Sequence, residues 1–299
     1  MLTVHLLVNP ARTRRAGVNA KIRSALESRG RRVIELRPPS IAAIADTINR
    51  ARHQSPDEMM DRLVIAGGDG LIHHALPALA DTKTTVGIVS VGTGNDFARA
   101  LGLPTRIAPS VDAALADPTP VDLIVASSGP STPAHSYAAS VVTGGFSGQV
   151  NRRANDLRFP PGQQRYTVAT LLELPRLEPV ALSLTLDDDT NLDLSASLFA
   201  IANTRFFGGG MAICPTADPV DGLFDITVVG PTSGLVMARM LPTVFSGRHV
   251  GHPAVSTYRA ATIDITTEAP LWADGEPFNG RHLRLAHGAL HVAGTLIAA

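Results

Sequence analysis

The chain has 299 residues, of which 44% are hydrophobic and 17% charged. Such a composition excludes a disordered polar polymer, and the length favours two domains over one small core. Lys plus Arg and Asp plus Glu both total 26, so the net charge is zero and gives no bulk attraction to nucleic acid.

The first part alternates strand and helix patterns. Residues 2–8 predict a buried strand, and residues 17–28 a helix with Val18, Ile22, Ala25 and Leu26 on one face. Residues 32–36 read as a strand and 41–51 as a helix with Ser40 as its N-cap. Then follow a strand at 63–66, a helix at 71–79, a strand at 85–91, short helices at 96–101 and 111–116, and a strand at 121–126. Strands separated by helices predict a doubly wound parallel sheet, whose ligands bind at the carboxyl ends of the strands. Gly67-Gly68-Asp69-Gly70, Gly92-Thr93-Gly94-Asn95-Asp96 and Asn9-Pro10 all sit at such ends.

After about Ser127 alternating apolar runs take over, at 137–143, 180–186, 192–203, 224–229, 262–267 and 282–297. Turn residues separate them: Asp187-Asp188-Asp189, Gly208-Gly209-Gly210, Asp274-Gly275 and His287-Gly288. This predicts a mostly antiparallel β domain with helical inserts at 164–174 and 233–241. The domains are therefore drawn at 1–126 and 127–299, with the C-terminal end free to pack back on the first. Residues 123–150 are uncharged, but Gly129, Pro130, Pro133, Gly144 and Gly145 interrupt them, so they read as strands and turns and not as a membrane span.

From Arg12 to Arg37 come Arg12, Arg14, Arg15, Lys21, Arg23, Arg29, Arg31, Arg32 and Arg37, opposed only by Glu27 and Glu35. A solvated helix face with its flanking loops accounts for them; attraction to phosphates or an anionic membrane is the sharper alternative. The one cysteine, Cys214, excludes an internal disulfide and reads as a small buried apolar residue in a reducing compartment. The N-terminus lacks the basic segment of a signal peptide. A reducing interior compartment is the expectation, and a membrane substrate would have to be reached from the water side.

The loop Gly67-Gly68-Asp69-Gly70 carries the chemistry. Glycines let a strand turn sharply into a helix and let backbone N–H groups approach a phosphate, which the helix N-terminus also attracts. Asp69 would repel a bare phosphate, so a bridging Mg²⁺ resolves the conflict; an ordinary turn with Asp69 as N-cap is the plain alternative. The loop matches neither the dinucleotide fingerprint nor the P-loop.

"GGDG" followed one βα unit later by "GTGNDFAR" (92–99) resembles the diacylglycerol kinase catalytic domain, the group that includes bacterial soluble lipid kinases and, more distantly, sphingosine and ceramide kinases. "VNP" at 8–10, "ANTRFFGGGM" at 202–211, "PTADPVDGLFDI" at 215–226 and "WADGEP" at 272–277 extend the resemblance over nearly the whole chain. It implies an NAD-kinase-like α/β domain, then a β-rich sandwich, with the active site in the cleft between them. It implies transfer of the ATP γ-phosphate to a lipid hydroxyl such as that of diacylglycerol. Gly67, Gly68, Asp69, Gly70, Gly92, Thr93 and Gly94 would meet the nucleotide, with Asn95 and Asp96 shaping the same edge and Asn9 beside them. A loop holding Mg²⁺ or Ca²⁺ maps to the Asp221 side chain with backbone oxygens of Asp218 and Leu223; a simple Asp221-Gly222 turn is its alternative.

Asp274-Gly275-Glu276 maps to the catalytic segment. One carboxylate would accept the hydroxyl proton, with Glu276 favoured over Asp274, while Asp69 serves the phosphates. A plain D-G hairpin is the alternative. The chain departs from the family at Leu71, where Thr or Ser is usual, at His73, where Asn is common, and at Ser40, which replaces a threonine. His73 and His74 should diverge on a helix, and His249-x-x-His252 reads as a surface loop. Leu235, Val236, Met237, Met240 and Leu241 read as core in preference to an acyl tunnel. The reading is an ATP- and Mg²⁺-dependent lipid kinase with transient contact at the inner membrane face, no nucleic acid partner, and room for a homodimer. An NAD kinase-like enzyme and a non-catalytic nucleotide-binding protein are the rivals.

Overall fold

The computed structural model describes residues 2–9, 16–53, 60–128, 135–157, 159 and 164–294. They divide into two compact units, one formed by the chain up to Val121 with the segment from Gly288 onward, the other running from Asp122 to His287. Pro10, Arg12, Arg14, Arg15, Gly129, Pro130, Pro133 and the end of the run at 282–297 lie outside the described residues.

In the first unit the order is β1 (Thr3–Val8), α1 (Ala16–Glu27), β2 (Arg32–Leu36), α2 (Ile44–His53), β3 (Arg62–Gly67), α3 (Asp69–Leu79), β4 (Thr85–Ser90), α4 (Asp96–Ala100), α5 (Ile107–Ala114) and the start of β5 (Pro118–Ser127), which from Asp122 onward belongs to the second unit. The expected boundary at residue 126 lies within β5. Strands β2, β1, β3 and β4 are parallel neighbours in that order. Val4, Leu6 and Val8 of β1 pack with Ile22 and Leu26 of α1 and Val111 and Ala114 of α5. The alternate residues Leu7, Leu63 and Ile65 face the other way and are equally buried, which is why these strands read as continuous apolar runs. Three arginines of the basic stretch are paired within the unit: Arg23 with Glu27 at 2.8 Å, Arg29 with Asp112 at 2.5 Å, and Arg37 with Glu35.

The second unit adds β6 (Ser136–Ala138), β7 (Val141–Gly145), α6 (Phe146–Asp156), α7 (Gln164–Glu173), β8 (Val180–Leu186), β9 (Thr190–Ala196), β10 (Leu198–Ala202), β11 (Phe206–Phe207), β12 (Met211–Ala212), β13 (Phe224–Val229), α8 (Gly234–Val244), β14 (Val255–Ala260), β15 (Ile263–Thr266), β16 (Leu271–Ala273), β17 (Glu276–Phe278) and β18 (His282–Ala293). One sheet runs β14-β13-β10-β7-β16-β17, and β9, β8, β15 and the first half of β18 form another antiparallel run. The second half of β18 belongs to the first unit, where His291 and Val292 lie parallel to β4. β10 shows how the sandwich is built. Phe199 and Ile201 enter the core between the sheets with Leu184, Ile263 and Leu285. Leu198, Ala200 and Ala202 face the helices, against Phe146 and Val150 of α6 and Met237 and Met240 of α8. Truncating a fully buried Phe such as Phe199 to Ala costs about 3–5 kcal/mol.

Several expectations are corrected. The run 137–143 breaks at Ala139-Ser140, and 192–203 breaks at Ser197. His287-Gly288 is no turn, because β18 runs straight through it. Residues 146–150 begin a helix, α6. Helix α2 starts at Ile44, so Ser40 is not its N-cap; the Ser40 carbonyl instead accepts the Ala43 N–H at 3.2 Å. Among the described residues no helix is long and apolar enough to cross a membrane. Cys214 is buried as expected, and burial pushes its thiol up to about 12.

His249 also differs from expectation. It is 1% exposed, with Nε2 3.0 Å from the Ile213 carbonyl and Nδ1 without a partner. His287 stacks on Phe224 with ring centroids 3.8 Å apart, and neither of its buried nitrogens is hydrogen-bonded. Burial pushes both imidazoles below the ordinary value; the Ile213 carbonyl opposes it at His249, and Asp122 and Asp221 oppose it at His287. An unfolded histidine takes up its proton at about pH 6.5, and these two take theirs up only at lower pH. Below that pH the unfolded state binds more protons, so stability falls as pH drops. We expect the urea midpoint to fall between about pH 7.5 and 5.5, with His249→Gln flattening the slope by up to about 1.4 kcal/mol per pH unit. A variant with the wild-type slope contradicts this assignment.

Candidate active site

In the first unit two glycine-bearing loops meet at the carboxyl ends of β3 and β4. Gly67 pairs beside Ser90, and its carbonyl accepts the Val91 N–H at 3.0 Å. A Cβ on Gly68 would lie 2.9 Å from the Gly92 Cα, and a Cβ on Gly92 would lie 2.5 Å from the Gly68 Cα. Backbone therefore lies on backbone, and only hydrogen fits at both positions. Gly67 is constrained from inside: a Cβ there would meet Leu71 Cδ2 at 2.5 Å. Leu71, the departure from the family pattern, is a buried side chain covering the loop.

Asp69 is the first residue of α3, not its N-cap. Gly68 holds the cap position, and no side chain caps it. The Asp69 Oδ1 instead accepts the Phe97 N–H at 3.1 Å, so the carboxylate pins the start of α4. Asn95 precedes α4 in the left-handed region, φ 54°, a conformation Asn tolerates better than most residues. Its Nδ2 donates to the Gly92 carbonyl at 3.3 Å, while its Oδ1 is buried without a partner. Ser90 Oγ is a second buried atom without a partner at this rim. Asp96 is buried as the first residue of α4, Thr93 is exposed, and Gly94 and Asn9 are half-buried. Gly70 lies in the first turn of α3, where backbone N–H groups lack helical acceptors. Ser40 is exposed in the turn before α2, and His73 and His74 sit on α3 with rings edge to face at 5.4 Å, contrary to their expected divergence.

In the second unit Asp274 and Gly275 form a two-residue hairpin between β16 and β17, with φ of 52° and 87°. The D-G hairpin is thus real, and it gives its carboxylates different surroundings. Asp274 Oδ2 accepts the Ala139 N–H at 2.7 Å; its Oδ1 accepts the N–H groups of Ser140 at 2.8 Å and Val141 at 3.3 Å. These three donors belong to the turn between β6 and β7. Asn203, from the "ANTRFF" stretch, clamps the same turn: its Nδ2 donates to the Ala139 carbonyl at 2.9 Å and to the Asp122 carbonyl at 2.6 Å. Glu276 follows at the first position of β17, half-buried. The sequence motif contained Asn203, but nothing in it revealed the clamp.

The expected metal loop is organised around an arginine. Arg259, on β14, binds Asp221 through Nη2 and lies with Nε 3.1 Å from Asp225 Oδ2. Asp221 Oδ1 accepts the Leu223 N–H at 3.0 Å, and the Asp218 carbonyl lies 3.4 Å from the Asp221 nitrogen. Burial works against the Arg259 charge, but Asp225 and Asp221 together hold it above the ordinary guanidinium value. A divalent ion at Asp221 would have to displace this guanidinium, so Asp218, Asp221 and Leu223 fit Mg²⁺ or Ca²⁺ poorly. Among the described residues no group of three or more His, Cys, Asp or Glu is placed to hold a metal.

Comparisons with known proteins agree with this architecture. Residues 3–126 match the diacylglycerol kinase catalytic domain, and residues 140–293 match the YegS C-terminal NAD kinase beta sandwich-like domain. A diacylglycerol kinase of Mycobacterium tuberculosis is 38% identical over 219 residues, covering 72% of this chain and 70% of the relative. A probable lipid kinase YegS-like protein of Xanthomonas axonopodis pv. citri is 32% identical over 238 residues, covering 75% and 74%. Among solved structures, a diacylglycerol kinase from Bacillus anthracis superposes with a TM-score of 0.68 at 18% identity, covering 99% of this chain and 98% of that one. An Archaeoglobus fulgidus NAD kinase in complex with ATP has a TM-score of 0.53 at 14% identity, covering 98% and 92%, a likeness of fold alone. The chain belongs to the diacylglycerol kinase catalytic-domain family, among the YegS-like lipid kinases.

Proposed function

We propose that the protein transfers the γ-phosphoryl group of ATP, taken as its Mg²⁺ complex, to a hydroxyl of a diacylglycerol-like lipid. The observation that carries this reading is the close approach of Gly68 to Gly92 at the N-terminus of α3. Such a rim offers backbone N–H groups and a positive helix end to phosphates without side chains in the way. The buried, unpartnered Asn95 Oδ1 and Ser90 Oγ beside it suit a polar ligand that completes their hydrogen bonding. Asp69 acts as a positioning residue, since its carboxylate ties α4 to the loop.

In the transfer the lipid oxygen attacks the γ-phosphorus, the bond to the β-γ bridging oxygen breaks, and ADP leaves with that electron pair. The hydroxyl proton must go to a base. Asp274 uses both carboxylate oxygens to hold the turn at Ala139–Val141, which suits an anchor better than a proton acceptor. Glu276 is therefore assigned as the base and Asp274 as the group that fixes its hairpin. Charge neutralisation and alignment supply most of the rate in chemistry of this type. The NAD kinase reading gains support from fold likeness alone.

The test uses purified protein, labelled ATP, Mg²⁺ and diacylglycerol in mixed micelles, with a sphingoid base and NAD in parallel. Labelled phosphatidic acid is expected; labelled NADP, or ATP binding with no product, contradicts the reading. Glu276→Gln should lower turnover by about 10²-fold or more with an unchanged melting temperature. Asp274→Asn should lose activity together with about 2 kcal/mol of stability, since its bonds are charge-assisted. Equal melting points and full activity in both variants would remove the pair from the mechanism. Exhaustive chelation should leave the melting temperature of the ATP-free protein unchanged, and a fall on chelation would restore a cation to the Asp221 loop.

A further inference from the structure

We propose that the second unit carries, at the base of the β16–β17 hairpin, a binding site for a single-chain amphipathic carboxylate, a medium-chain fatty acid. A cleft of about 320 Å³ opens there. Across the hairpin Trp272 pairs with Pro277 and Leu271 with Phe278. These residues and Pro270 give the cleft its apolar walls. The closed end of the hairpin, from Ala273 to Glu276, takes no part in the lining. One wall atom is out of place in apolar surroundings. Trp272 is 7% exposed, and its indole Nε1–H is buried with no hydrogen-bond partner. A buried indole N–H ordinarily has an acceptor. Gly148 of α6 faces this edge of the ring: a Cβ there would stand 3.2 Å from Nε1 and 3.1 Å from Cδ1. Glycine at that position keeps a methyl group off the donor.

The charges at the cleft identify its occupant. Arg152 follows Gly148 by one turn on the same face of α6, and a long helical side chain lies back over the preceding turn. Its guanidinium is thereby carried towards the indole edge, and Arg152 lines the cleft. It is exposed and forms no ion pair among the described residues. The other two charged residues of the lining, Arg281 and Glu268, hold each other at 2.7 Å. The cleft thus offers one unbalanced cation, one unused N–H donor and apolar walls. A carboxylate on an apolar tail satisfies all three, since a guanidinium and an N–H suit its two acceptor oxygens. A phosphate monoester would set about 1.5 to 2 negative charges against this one cation. The volume stands at the lower end of small-molecule sites, which suits one short acyl chain and not the two chains of a diacylglycerol. The site is therefore distinct from that of a diacylglycerol acceptor, and the inference does not depend on the kinase reading.

Trp272 is the only tryptophan of the chain, so its fluorescence reports on this cleft directly. The test titrates the full chain with decanoate below its micelle-forming concentration, with decanol, decylammonium and decyl phosphate in parallel, and records a melting curve at the end of each titration. Decanoate should change the emission saturably and raise the melting temperature. Decanol should bind at least about tenfold more weakly, and decylammonium should leave the emission unchanged. Arg152→Gln should weaken decanoate binding by about tenfold or more while leaving the affinity for decanol as it was. Equal affinity for decanoate and decanol, or wild-type decanoate binding in Arg152→Gln, overturns the proposal. So does the lack of a saturable change, or a change accompanied by a falling melting temperature, which marks unfolding by a detergent. Tighter binding of decyl phosphate than of decanoate would assign the cleft to a different anion and overturn the carboxylate.

Discussion

The first unit is organised by the contact between two peptide backbones at Gly68 and Gly92. Each glycine occupies the space a side chain on the other would need. That approach sets where β3 and β4 release their loops, and it leaves the first turn of α3 with N–H groups that no side chain caps. The Asp69 carboxylate fastens the arrangement by accepting the Phe97 N–H. A charge placed there to balance phosphate and a charge placed there to brace a loop are the same residue type with different partners. Here the carboxylate accepts a backbone N–H from the neighbouring loop.

A similar division governs the second unit. Two carboxylates flank one glycine, yet the left-handed hairpin turns Asp274 into the backbone donors of the β6–β7 turn and leaves Glu276 to start the next strand. Asn203 holds the same turn from the other side. Arg259 does for the Asp221–Asp225 loop what a bound cation would do, with the geometric specificity of a guanidinium fork.

Much of the fold was legible because alternating periods of burial leave a plain record in apolar residues. β2, β8 and β13 fall where the pattern put them, since each is a short run bounded by turn residues. Breaks within longer runs were not legible. Ala139-Ser140 and Ser197 interrupt strands without glycine or proline, and their turns depend on Asp274 and on backbone bonds from distant residues. His287-Gly288 misled for the opposite reason: a turn-like pair is carried through β18 by stacking on Phe224. At the site, the glycine loops and the D-G hairpin could be read from spacing. The jobs of Asp69, Asp274 and Leu71 could not, because each depends on a partner set by the fold. Arg259 carried no sequence signal at all, being more than thirty residues from the acids it joins.

The account stands on the glycine rim as the seat of the triphosphate. The direct measurement is the affinity of Mg²⁺-ATP for Gly92→Ala, taken by calorimetry beside a melting curve. The added methyl must push the Gly92 and Gly68 backbones apart. The account predicts a folded protein whose ATP affinity has dropped by at least about tenfold, near 1.4 kcal/mol. Wild-type affinity in that variant would place the nucleotide elsewhere.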